Sequence, residues 1–121
     1  MPIKSILVVD DSPTDRQHLS DMLSKSGYKV SLAESAEDAL AKVKQLRPDL
    51  VLMDVVMPGQ NGFQATRTLT KDEATRHIPV ILCTSKSQET DKVWGMRQGA
   101  RDYVVKPVDP ADLLAKIAAL G

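Results

Sequence analysis

Cysteine occurs once in this chain, at Cys83, so no disulfide can form within it. Its neighbours Val80-Ile81-Leu82 are apolar, which predicts a buried, reduced thiol in a core strand and the cytoplasm as the natural compartment. An excess of either charge is also missing: Lys+Arg is 16 and Asp+Glu is 16, with no block of like charges. That speaks against non-specific binding to nucleic acid or to anionic membranes, both of which lean on surplus positive charge. No apolar run approaches the roughly 20 residues of a membrane span, so no membrane insertion is expected. The opening Met1-Pro2-Ile3-Lys4 lacks a signal-peptide pattern. Linkers, low-complexity segments and long unstructured loops are absent too. Apolar residues are plentiful, at 42%, enough for a real core in one domain of 121 residues.

Those apolar residues fall in short runs that alternate with amphipathic stretches. Ile6–Val9 closes on Asp10-Asp11. Ser12, Pro13 and Asp15 then read as N-cap, N1 and N3 of a helix with Leu19, Met22 and Leu23 inward, ended by Gly27. A strand with Val30 and Leu32 follows. Ser35 caps a second helix with Ala36, Ala39, Leu40 and Val43 on its buried face. The run 50–54 is the most apolar strand and ends on Asp54. Gly62-Phe63 opens a third helix, with Ala65, Leu69 and Ala74 inward and three threonines that weaken it. Val80–Cys83 is the fourth strand, a helix is expected over 88–98 with Val93, Met96 and Ala100 setting its buried face, and Tyr103–Val105 is the fifth strand. Asp109-Pro110 repeats the first helix's start signal ahead of Leu113, Leu114, Ile117 and Leu120. Strictly alternating strands and helices predict an α/β fold, with a parallel sheet covered by helices on both faces.

In such a sheet the carboxyl ends of the strands share one edge, where ligands bind. Asp10 and Asp11 leave strand one there, Asp54 strand three, Thr84 and Ser85 strand four, and Lys106 strand five. A strand order of 2-1-3-4-5 makes strands one and three neighbours, so three carboxylates meet beside a lysine and a hydroxyl. Crowded carboxylates repel one another, and a hard divalent cation removes the conflict. The set therefore reads as a Mg²⁺ site with one carboxylate free to act as a nucleophile. Lys106 would neutralise an incoming phosphoryl group and Thr84 would hydrogen-bond it. His18 and His77 stand at no strand exit and read as solvated residues.

Val8-Val9-Asp10-Asp11, Asp54-Val55-Val56-Met57-Pro58, Gly62, Thr84-Ser85, Gly99-Ala100-Arg101-Asp102-Tyr103 and Lys106-Pro107 occur in this order along the chain. Together they resemble a response-regulator receiver domain of the single-domain chemotaxis type. The resemblance covers the whole chain and implies one receiver domain, 1–121, with the flavodoxin-like (βα)5 fold. It implies that Asp54 accepts a phosphoryl group from a histidine kinase, and that Asp10, Asp11, Asp54 and the backbone carbonyl of Val56 hold Mg²⁺. Lys106 would pair with the acyl phosphate, Thr84 and Ser85 would bind it, Tyr103 would rotate inward, and the peptide before Pro107 would be cis. A downstream protein would bind the face formed by the fourth helix, fifth strand and last helix, with Trp94 as its aromatic anchor. The protein is expected as a monomer or weak dimer that catalyses only its own phosphorylation and dephosphorylation. Val56 and Lys86 flank the path of attacking water in this resemblance; neither orients water well, so slow self-dephosphorylation is expected.

The run Asp91–Ala100 is also similar to regulators of type IV pilus twitching motility. A flavin carrier would share the sheet, but Asp10-Asp11 would repel its phosphate where a Ser/Thr/Gly cradle is needed. A Mg²⁺-dependent phosphohydrolase would need a second acid two residues after Asp54, where Val56 stands. A phosphate sink for another regulator, or a receiver excised from a transcription factor or hybrid kinase, are the alternatives within the resemblance; the stop at Gly121 favours a stand-alone protein.

Overall fold

Five short strands pair in parallel in the order β2-β1-β3-β4-β5. They are β1 (Ser5–Val9), β2 (Lys29–Ala33), β3 (Leu50–Asp54), β4 (Val80–Thr84) and β5 (Asp102–Val105). The computed structural model describes residues 3–55, 62–84 and 96–120. Four helices lie among these residues: α1 (Pro13–Lys25), α2 (Ala36–Leu46), α3 (Gly62–Lys71) and α4 (Pro110–Leu120).

Side chains alternate across the sheet, so each strand feeds two cores. Leu7, Val9, Val51, Met53, Val80 and Leu82 pack on one face against Ala36, Ala39 and Val43 of α2 and Ala65 and Leu69 of α3. Ile6, Val8, Leu50, Leu52, Ile81, Cys83 and Val104 pack on the other against Leu19 and Leu23 of α1 and Leu113 and Ile117 of α4. The division follows from crossover handedness. The chain steps outward from β1 to β2 and then back across to β3, so right-handed connections put α1 and α2 on opposite faces. Every residue of β3 and β4 is buried, which is why both read as continuous apolar runs. Cys83 lies in this core, where burial pushes its thiol up to about 12.

The helix starts follow their capping chemistry. Ser12 Oγ accepts the Asp15 N–H at 3.3 Å and Ser35 Oγ accepts the Asp38 N–H at 3.1 Å. Asp109 plays the same part before α4, accepting the Ala111 N–H at 3.1 Å. The threonines of α3 are accommodated by bonding to carbonyls: Thr66 to Gly62 at 2.7 Å, Thr68 to Gln64 at 3.1 Å, and Thr70 across to Gln98 at 2.7 Å.

Two expected core positions are corrected. Helix α3 ends at Lys71, so Ala74 is exposed and Thr75 turns inward, its hydroxyl donating to the Leu69 carbonyl at 2.7 Å. Met96 is 46% exposed, although the spacing around it put it on a buried face. Of the helix expected over 88–98, only Met96, Arg97 and Gln98 fall among the described residues, and Met96 and Arg97 are helical.

Candidate functional site

Register brings the acidic residues together. Val9 pairs with Met53, so Asp10 and Asp54 leave β1 and β3 side by side. Asp54 pairs with Cys83 and Thr84 with Val105, which carries Thr84 and Lys106 to the same edge. Asp10, Asp54 and Thr84 are buried, while Asp11 is exposed.

Asp10 is held along its whole length. Its N–H donates to the Ala33 carbonyl at 3.1 Å, and its own carbonyl accepts from Arg16 Nη1 at 2.7 Å. Its Oδ1 accepts the Ser12 N–H at 2.9 Å. Its Oδ2 takes the Lys106 ammonium at 2.7 Å. Lys106 Nζ also lies 3.3 Å from Asp15 Oδ2 and 3.4 Å from Asp54 Oδ1. One ammonium thus faces three carboxylates. Burial alone would pull its pKa down; the Asp10 hydrogen bond, the charges of Asp54 and Asp10 and the Asp15 hydrogen bond outweigh this and raise it. The backbone N–H of Lys106 donates to the Thr84 carbonyl at 2.6 Å, and the Lys106–Pro107 peptide is cis.

Asp10, Asp11 and Asp54 each offer a carboxylate oxygen within 4.8 Å of the others. Three hard oxygens at that spacing, two of them on buried residues, suit a small divalent cation such as Mg²⁺. Thr84 Oγ1 lies 3.5 Å from the Val104 carbonyl, a long contact. Tyr103 is half-buried, with Lys116 Nζ 5.0 Å from its ring centroid and donating to its carbonyl at 2.6 Å. Val56, Ser85, Lys86 and Trp94 lie outside the described residues.

Three residues make contacts at the site that the sequence did not reveal. Asp15 was legible as a helix-start residue, yet its carboxylate reaches across to Lys106. Arg16 braces the Asp10 peptide. Gly62 touches the end of β3: a Cβ there would overlap the Asp54 carbonyl oxygen and lie 2.8 Å from Val55 Cα. The available signal was proximity in sequence, since Asp15 and Arg16 begin the helix immediately after the Asp10-Asp11 exit.

The sequence matches the family described as response regulator receiver domain over residues 6–118. It is 61% identical over 115 residues to Protein PilH of Pseudomonas aeruginosa, covering 95% of each chain. It is 38% identical over 117 residues to the phosphate regulon transcriptional regulatory protein PhoB of the same organism, covering 97% of this chain and 51% of that protein. Among solved structures, the chemotaxis protein CheY4 of Vibrio cholerae superposes with a TM-score of 0.91 at 31% identity, covering 98% of this chain and 99% of that one. Among the described residues, no helix is long and apolar enough to cross a membrane.

Proposed function

This chain belongs to the response regulator receiver domain family, and on that premise we propose that it is a phosphoacceptor switch in which Asp54 takes a phosphoryl group from a histidine kinase. Residues 1–121 act, on this proposal, as one receiver domain in the cytoplasm. The observation that carries it is the Lys106 ammonium, 2.7 Å from Asp10 and 3.4 Å from Asp54, beside three carboxylates gathered within 4.8 Å.

An Asp54 carboxylate oxygen attacks phosphorus, and the P–N bond of the donor's phosphohistidine breaks. The electron pair stays on the imidazole, which takes up a proton, and Asp54 becomes an acyl phosphate. Lys106 supplies positive charge to the phosphoryl oxygens, and the Thr84 hydroxyl exchanges its long contact for one of them. Asp10, Asp11, Asp54 and the Val56 carbonyl would hold Mg²⁺, which when bound neutralises phosphoryl charge. Phosphorylation adds about one negative charge and three acceptor oxygens at the sheet edge. That biases two arrangements of the output surface, to which we assign residues 88–98, β5 and α4, with Trp94 as the anchor for a downstream protein. The 61% identity to PilH, with the similarity of residues 91–100 to twitching-motility regulators, supports a role in that pathway.

Intact mass after incubation with Mg²⁺ and acetyl phosphate tests the chemistry. Wild type is expected to gain one labile phosphoryl group that Asp54→Ala and Mg²⁺-free samples lack. A folded wild type without the gain would sink the reading.

A further inference from the structure

Asp15 has no part in the reading above, yet it supplies one of the three carboxylates around Lys106. An ammonium has three N–H bonds. Here they face Asp10 at 2.7 Å, Asp15 at 3.3 Å and Asp54 at 3.4 Å. Two of these acids are buried, but the Asp15 side chain is 48% exposed. It sits in the first turn of α1, fixed there by the bond from its own N–H to Ser12. Its carboxylate is therefore the one partner that water can replace at little cost.

We propose that Asp15 is a positioning residue that restrains Lys106 before phosphorylation, drawing the ammonium outward and competing with the phosphoacceptor end of the site for it. The inference rests on Asp54 being the phosphoacceptor. Once Asp54 carries a phosphoryl group, the lysine turns to its oxygens and Asp15 is left to solvent. Asp15 also places a negative charge beside the approach of an anionic phosphodonor. Both effects have the same sign: the carboxylate slows phosphoryl uptake.

The test compares uptake rates from acetyl phosphate with Mg²⁺, for wild type, Asp15→Asn and Asp15→Glu, at low and high NaCl, alongside thermal unfolding. Asp15→Asn should take up phosphoryl about three- to fivefold faster at low salt, the scale of one partly exposed charge interaction. The advantage should shrink with screening, and Asp15→Glu should behave like wild type. Asp15→Ser provides the same comparison should the Asn variant fold poorly. A residue that only starts α1 would change the melting temperature and leave this salt-dependent difference absent. Equal or slower uptake by Asp15→Asn, or an advantage that ignores salt, overturns the proposal while leaving Asp54 as acceptor. No uptake by any folded chain overturns both.

Discussion

The strand β3 begins beside one aspartate and ends on another, and the two are held in opposite ways. Asp49, just before the strand, accepts the backbone N–H groups of Lys4 at 2.9 Å and Ser5 at 3.1 Å. Those bonds hold its carboxyl below the usual range, against a small opposing effect of desolvation. Asp54, at the other end, is buried and faces the side-chain ammonium of Lys106 at 3.4 Å. A backbone donor cannot leave without undoing the chain around it. A lysine can leave by rotating its stem. The amino edge of the sheet is therefore tied shut, and the carboxyl edge carries a charge that can change partners.

Removing the movable cation should break the comparison most severely. Lys106→Met leaves Asp10 and Asp54 buried without it, a loss of about 3 kcal/mol at neutral pH. Urea unfolding of the Mg²⁺-free proteins measures it, and phosphoryl uptake should fall by more than about tenfold. Because the folded pKa of Lys106 is raised, its contribution is complete below the ordinary value of 10.5 and fades as pH climbs beyond that through the folded value. The gap between wild type and variant should therefore be flat from neutral pH to about 10 and narrow only above it. A gap that closed near pH 8 would contradict this ion network.

Gly62→Ala sharpens the same end of the strand through geometry alone. The new methyl overlaps backbone at Asp54 and Val55, which cannot swing aside as a side chain would. A cost of roughly 2 kcal/mol is expected, with slower uptake because the clash falls on the acceptor's own peptide. Normal stability and normal uptake together would show that the backbone at Asp54 and Val55 yields to the methyl.

The same contrast explains what the sequence made legible. Asp54 stood out because a run of apolar residues ended on it, and Asp10 and Lys106 because their strands did too. The sheet order was legible as one allowed solution for alternating strands and helices, and the capping of α1 and α2 followed from Ser12 and Ser35 alone. Local pattern fails where a contact depends on how distant loops meet. Asp15 and Lys106 are 91 residues apart, and nothing in helix periodicity ties them. Thr75 replaced Ala74 in the core because α3 stops at Lys71, after which the helical spacing no longer governs which side chain turns inward. Gly62 read as a helix start, while its closeness to the β3 exit needed the fold itself.

The smallest effect belongs to the amino edge. Asp49→Ala removes two hydrogen bonds to a carboxylate, but the group is exposed and water competes for both donors. After that discount about 1 kcal/mol is expected at neutral pH. Its folded pKa is depressed, so the stabilisation is present above the ordinary value of 3.8 and is lost as pH falls through the lower folded value. Wild type and variant should therefore converge in acid, the opposite direction from Lys106→Met. Uptake of phosphoryl groups should stay within about twofold of wild type, because β3 transmits no charge between its ends and the screened distance along it exceeds the reach of one exposed carboxylate. Asp49→Ala slowing uptake as much as Gly62→Ala would show that the two ends of the strand are mechanically coupled, and the division between a fixed edge and a reactive one would fail.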